Sequence, residues 1–234
     1  MTSNRLFVDD QAKIRRVLLD ADALLLDFDG PICSVFAGFP APAVAEQLRE
    51  ILAGGGHSDL PDEIQTTGDP FDVLSFAANL GDDEALYTEA ALRAHEVEAV
   101  ATAEPTMGAH DLIRQWHSNG RKLAIVSNNS ATAIEAYLHH HELKSYIDYV
   151  SARTDPNPFL LKPSPFLLHQ AANMLGLATM ECVLLGDSLT DIQAAQTAQM
   201  PVIGYANKPE KVDLFIAENP SAITTTIDLL AILR

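Results

Sequence analysis

Short apolar runs that stop at polar or small residues constrain this chain more than any other feature. They are Ala23–Leu26, stopping at Asp27; Leu123–Val126, stopping at Ser127; Ile147–Val150; Cys182–Leu185, stopping at Gly186 and Asp187; and Pro201–Tyr205. Continuous apolar runs of this length suit parallel strands covered on both faces, rather than one-sided strands that alternate with polar residues. Stretches of helical pattern lie between them: Gly108–Ser118, closed by the stop signal Asn119-Gly120, then Ala131–His140, Ser164–Leu175 and Leu189–Gln199. Strand–helix alternation of this kind implies right-handed crossovers and a doubly wound, Rossmann-like α/β core. In such a core the ligand site lies beyond the carboxyl ends of the strands, where this sequence puts its polar residues.

The first two runs stand roughly 90 residues apart, too far for one crossover. The interval has its own helical patterns at Val44–Leu52, Pro70–Leu80 and Asp83–Val100. It reads as an inserted helical cap, residues 32–104, with residues 1–31 and 105–234 forming the core. The cap holds 14 acidic residues against Arg49 and Arg93, a net of −12 out of −17 for the whole chain. Residues 1–21 read as an added amphipathic helix, and Gly54-Gly55-Gly56 as a flexible turn without the context of a phosphate loop.

Such acidity disfavours a nucleic-acid or anionic-membrane partner, both of which need clustered Lys and Arg. It does not disfavour a phosphate substrate, since a bound dication reverses the local sign. The N-terminus lacks the apolar region of a signal peptide, no apolar run reaches the roughly 18 residues of a membrane span, and two distant cysteines make no disulfide framework. A cytoplasmic location is the expectation; the sequence is silent on oligomeric state.

Four polar motifs follow the apolar runs. Asp27-Phe28-Asp29-Gly30 puts two carboxylates on one face of an extended chain, costly unless a hard cation such as Mg²⁺ holds them, although a solvated strand end would look the same. Val126-Ser127-Asn128-Asn129 offers a hydroxyl and amides to phosphate oxygens, or simply a helix N-cap. Lys162, between Leu161 and Pro163, offers a fixed ammonium or a snorkelling surface lysine. In Gly186-Asp187-Ser188-Leu189-Thr190-Asp191, Asp187 can complete a cation site with Asp191 one helical turn behind, or the pair can serve the helix start.

In this order, each after its strand, these motifs resemble the haloacid dehalogenase-like hydrolases, in particular the phosphatase subgroup with a helical cap after the first core strand. The resemblance runs from about residue 22 to the C-terminus. It implies a Mg²⁺-dependent phosphatase acting on a small phosphorylated metabolite through an aspartyl-phosphate. Asp27 is then the nucleophile, Asp29 the acid and base, and Lys162 the stabiliser of both Asp27 and the phosphate. Ser127 and Asn128 belong to the phosphate site. Mg²⁺ falls to Asp27, the Asp29 carbonyl and Asp187, with Asp191 in support. Pro31 stands where the family has Thr or Val, which points to altered cap hinging.

A phosphomutase shares the whole core, and a non-catalytic binding protein could retain the fold. A phosphonate-cleaving enzyme would need a cap lysine, and residues 32–104 have none. A dehalogenase does not need Asp29. The cation-poor cap points away from a substrate with a second strong anion. His139, His140 and His141 point about 100° apart on a helix and so do not converge on a metal. Cys33, near the expected site, reads as a buried inert thiol.

Overall fold

The computed structural model describes residues 8–228; the outer ends of the expected core, 1–7 and 229–234, lie outside the described residues. In chain order the elements are α1 (Gln11–Leu19), β1 (Ala23–Leu26), β2 (Cys33–Ser34), α2 (Ala41–Gly54), α3 (Asp62–Thr66), α4 (Pro70–Leu80) and α5 (Asp82–Val100). They continue with β3 (Glu104–Pro105), α6 (Ala109–Ser118), β4 (Lys122–Ser130), α7 (Ala131–His140), β5 (Tyr149–Arg153) and α8 (Phe166–Leu175). The chain then runs through β6 (Cys182–Gly186), α9 (Leu189–Thr197), β7 (Val202–Tyr205), α10 (Glu210–Glu218) and β8 (Ala222–Thr224).

Six strands form one parallel sheet in the order β5-β4-β1-β6-β7-β8. The chain builds outward from β1 to one edge and then returns to build the other, so β1, between β4 and β6, marks the switch point where such folds bind ligands. The expected doubly wound α/β core and the helical insertion after its first strand are both present.

Apolar runs form these strands because the pleat sends alternate side chains into two different cores. Leu24, Leu26, Leu123, Ile125, Val183 and Leu185 pack on one face with Ile14, Trp116 and Tyr137. Ala23, Leu25, Ala124, Val126, Cys182 and Leu184 pack on the other with Leu168, Ile192 and Phe215. All twelve strand residues are fully buried or nearly so, each large aliphatic contributing roughly 1.5–3 kcal/mol of transfer free energy. The acidic insert is held in the same way: Val44, Leu48, Val73, Leu74 and Leu92 belong to the second core.

The two connections to the insert run side by side, β2 pairing antiparallel with β3 through Cys33 with Pro105 and Ser34 with Glu104. The loop from β1 into β2 is compact, with Ile32 and Cys33 N–H groups both donating to the Phe28 carbonyl. Pro31, buried in this loop, sits at the start of the connection.

β1, α4 and α7 match the sequence expectation residue for residue, while the third run is displaced: β5 spans Tyr149–Arg153 rather than Ile147–Val150. Asp148 lies outside the strand and instead caps it sideways, its carboxylate accepting from the Leu123 N–H at 2.7 Å. α3 and β8 have five and three residues, too short for any periodicity to register. α10 was also not anticipated. α1 is the described part of the expected N-terminal helix, started by Asp10, whose side chain accepts from the Lys13 N–H.

Candidate active site

All four motifs meet at the carboxyl end of the sheet, around a cavity of about 590 Å³. Asp27 follows β1 directly, its N–H tied to the Leu185 carbonyl of β6 at 2.9 Å. Its side chain is only 7% exposed, and Oδ1 accepts from the Phe28 N–H at 2.7 Å and from Lys162 Nζ at 2.9 Å. Both bonds fall on Oδ1, so no described residue donates to Oδ2. Burial, with Asp191 close by, pushes the Asp27 carboxyl up to about 8, while Lys162 pulls the other way.

Asp29 stands two residues on, its Oδ1 accepting from the Val35 N–H at 2.9 Å. Its carboxyl is raised to about 6, chiefly by burial. Gly30 turns the chain with φ +101°, and a side chain there would meet Asp187: an ideal Cβ falls 2.3 Å from Asp187 Cγ. Thr106, entering from the return connection, donates to the Gly30 carbonyl at 2.6 Å.

Ser127 is buried, its hydroxyl 3.1 Å from Asn129 Oδ1. The Asn128 side chain is committed to the main chain of Lys162, donating to its carbonyl at 3.0 Å and accepting from its N–H at 2.8 Å. Lys162 is thereby placed with Nζ against Asp27, Asp191 Oδ1 at 2.5 Å and the Val126 carbonyl at 3.2 Å. Burial alone would lower its pKa, but Asp191 and Asp27 raise it, so the ammonium stays charged. Lys162 is therefore a buried cation, not a snorkelling surface side chain.

Asp187 leaves the end of β6, raised by burial and opposed by Lys211. Lys211 Nζ lies 2.6 Å from Asp187 Oδ2 and 2.7 Å from its carbonyl oxygen, and Asn207 Nδ2 adds a bond to Oδ2 at 2.9 Å. Asp191, fully buried at the third position of α9, closes a capping box with Ser188: its Oδ2 accepts from the Ser188 N–H and hydroxyl, and its own N–H donates to Ser188 Oγ. Asp191 thus serves the helix start with Oδ2, while its Oδ1 is held by Lys162.

Asp27, Asp187 and Asp191 each bring a carboxylate oxygen within 4.8 Å of the others. Three acids this close, Asp27 and Asp191 buried and Asp187 partly so, repel one another, and both raised aspartates register that cost. An all-oxygen donor set relieved by positive charge fits a hard dication such as Mg²⁺. The Asp29 carboxylate is not one of the three, so any contact it makes to that dication would fall to its backbone carbonyl.

Several residues here were not singled out by the sequence. Arg153, at the end of β5 and 3% exposed, pairs with Glu89 at 2.5 Å and Glu96 at 2.6 Å, both from α5 of the insert. Glu96 also accepts from Asn129 Nδ2 at 3.1 Å and the Ser130 N–H at 2.9 Å. Lys211 lies in the first turn of α10. No motif marks these partners, because each pairing joins positions far apart in sequence.

His110, Tyr137, His140 and His141 form a packed aromatic group, and the described histidines form no metal cluster. Cys33 is fully buried, its thiol pushed far up by burial. No described helix is long and apolar enough to cross a membrane.

Residues 21–199 match the family model of the haloacid dehalogenase-like hydrolases. The fructose-1-phosphate phosphatase of Escherichia coli is 30% identical over 190 residues, covering 77% of this chain and 94% of that protein. A phosphoglycolate phosphatase of Photobacterium profundum is 32% identical over 117 residues, half of each chain. Among solved structures, a haloacid dehalogenase-like hydrolase of Streptococcus pneumoniae superposes with a TM-score of 0.64 at 16% identity, over 92% of this chain and all of that one, a likeness of fold. With the family model matched over residues 21–199, this chain belongs to the haloacid dehalogenase-like hydrolase family.

Proposed function

We propose that this chain is a Mg²⁺-dependent phosphomonoester hydrolase that acts on a small phosphorylated metabolite through a phosphoryl-Asp27 intermediate. The observation that carries the reading is Asp27 itself: buried at the switch point, its Oδ1 anchored by Phe28 and Lys162, its Oδ2 open to attack phosphorus. Residues 1–31 and 105–234 form the core and residues 32–104 the cap, with the β2–β3 ribbon as the crossing between them.

Asp27 Oδ2 attacks phosphorus and the bond to the leaving oxygen breaks, with Asp29 giving that oxygen its proton. Asp29, now ionised, takes a proton from water as the water oxygen attacks phosphorus and the bond to Asp27 breaks. Phosphate leaves, and both aspartates return to their starting states. A carboxyl near 6 suits a group that must both give and take a proton near neutrality. Lys162 neutralises charge on Asp27 and the phosphoryl oxygens, and the Ser127 hydroxyl and the amides after it bind those oxygens. Asp27, the Asp29 carbonyl and Asp187 would hold Mg²⁺, with Asp191 holding Lys162 and Ser188 in place. When bound, Mg²⁺ supplies the positive charge that keeps Asp27 ionised and the phosphoryl group electrophilic. The fructose-1-phosphate and phosphoglycolate phosphatases among its relatives support a phosphorylated metabolite as substrate.

The test is phosphate release from a panel of phosphate esters, with Mg²⁺ or EDTA, by the wild type and Asp27→Asn. Mg²⁺-dependent release that disappears in the variant is the expected result. Undiminished release by the variant would overturn the assignment of Asp27.

A further inference from the structure

The cavity has two chemically unlike ends, and the end away from Asp27 selects the leaving group. It is built by the insert: Phe36, then Asp69, Pro70, Phe71, Asp72 and Ser75 around the start of α4. This wall carries two carboxylates and no cation. The whole cavity is lined by five aspartates and one lysine, and that lysine, Lys162, is held by Asp27 and Asp191.

The insert's own cations are all engaged elsewhere. Arg49 donates to the Ile64 and Thr67 carbonyls and pairs with Glu46. Arg93 pairs with Glu89, His57 with Glu84, and His95 stacks on Phe39. None of the four lines the cavity. The buried Arg153 guanidinium pairs with two glutamates and does not line this cavity. A phosphate or carboxylate on the leaving group would therefore lie beside Asp69 and Asp72 with no counter-charge.

The same wall suits hydroxyl groups. Asp69 spends one oxygen on the Phe71 N–H as the N-cap of α4, and Asp72 spends one on the Thr67 hydroxyl. Each carboxylate keeps its second oxygen as an acceptor, and Ser75 adds a hydroxyl. Phe36 and Phe71 give the C–H side of a polyol an apolar surface.

We infer that the substrate is the phosphate monoester of an uncharged, hydroxyl-bearing alcohol, and that Asp69 and Asp72 disfavour esters with a second anionic group. This rests on the phosphohydrolase reading above.

Matched esters test it: a hexose monophosphate against the hexose bisphosphate, and glycerol phosphate against phosphoglycerate, with nitrophenyl phosphate as a generic ester. The neutral member of each pair should have the higher kcat/KM by about two- to fivefold, since Asp69 and Asp72 are solvent-exposed and a like-charge contact there is partly screened. Asp69→Asn with Asp72→Asn should shrink that ratio, and asparagine keeps the N-cap of α4, so the fold is retained. Thermal stabilisation of the Asp27→Asn protein by the same esters should follow the same order without turnover. Equal or faster turnover of the anionic members, or a ratio unmoved in the double variant, would overturn the inference while leaving the hydrolase reading intact. Failure to hydrolyse even nitrophenyl phosphate would remove both.

Discussion

The Asn128 side chain clasps the main chain of Lys162 across 34 residues of sequence, bonding both its N–H and its carbonyl. The clasp joins the strand end that carries Ser127 to the loop that carries the ammonium. It fixes Lys162 so that Nζ reaches Asp27 on one side and Asp191 on the other. Lys162→Met leaves two buried carboxylates facing each other without a cation. Removing one partner of such a pair costs about 3–5 kcal/mol. We expect a clear fall in melting temperature and loss of phosphate release to background. Asn128→Ala should keep the pair but loosen it, lowering kcat more than it raises KM. A Lys162→Met protein with wild-type kcat would refute this role.

Gly30 is the one place where the motif admits no side chain for two separate reasons. Its φ of +101° disfavours any L-residue, and a Cβ would stand 2.3 Å from Asp187 Cγ. Gly30→Ala must therefore displace Asp187 from the cluster it forms with Asp27 and Asp191. The expected outcome is a weaker Mg²⁺ site, about tenfold or more by titration of half-maximal activity, as is usual when a ligand's support is lost. An unchanged Mg²⁺ requirement would mean Asp187 is not a ligand.

Mg²⁺ and protons should compete for the site, and the sign follows from the raised carboxyls. Asp29 titrates near 6 and Asp27 near 8 in the folded chain, both above the ordinary 3.8. Between about pH 4 and the folded values, the folded chain holds more protons than the unfolded one. The stability this adds is full below about pH 4 and lost as pH rises through 6 to 8. In EDTA, melting temperature should therefore fall across that range from the contribution of these two groups, and Asp27→Asn should flatten the fall. Binding Mg²⁺ expels those protons, so Mg²⁺ should stabilise the protein more at pH 8 than at pH 5. Melting curves at both values, with Mg²⁺ and EDTA, check it; stronger stabilisation at pH 5 reverses the sign and refutes the argument.

The aspartates of the candidate site were readable because local rules place them. An apolar run ending at Asp27 is a strand ending at the carboxyl end of the sheet, and Gly186-Asp187 repeats the pattern on the neighbouring strand. Lys162 was nameable by its order among the motifs, but its burial was not, since burial depends on Asp191 arriving from α9. Arg153, Glu89, Glu96 and Lys211 carried no such signal. Glu89 and Glu96 sit in a helix so acidic that its charges read as a solvated face, and only their burial against Arg153 of β5 shows that these two are inside. The displacement of β5 has a similar origin: Asp148 looked like part of a strand because its role, bonding the Leu123 N–H, belongs to the neighbouring strand.

Glu96 joins the insert to the strand end that carries Ser127, and its effect should be visible in catalysis. One oxygen accepts from Asn129 Nδ2 and the other from the Ser130 N–H and Arg153. With Nδ2 so held, Asn129 Oδ1 faces the Ser127 hydroxyl at 3.1 Å. Glu96→Gln keeps the shape but replaces one acceptor with a donor, which leaves either the Asn129 amide or the Ser130–Arg153 side facing a like group. Ser127 then loses its orientation, and kcat/KM should fall about tenfold while the protein remains folded, because Arg153 still pairs with Glu89. Arg153→Met is the harsher change: it strands two buried glutamates and should lower the melting temperature far more than Glu96→Gln. The cycle with Ser127→Ala separates a route through the hydroxyl from general loosening. If Glu96 works by holding Ser127, Glu96→Gln should cost little further activity once the hydroxyl is gone, giving strong non-additivity. Fully additive losses would show that Glu96 supports the fold and not the phosphate site.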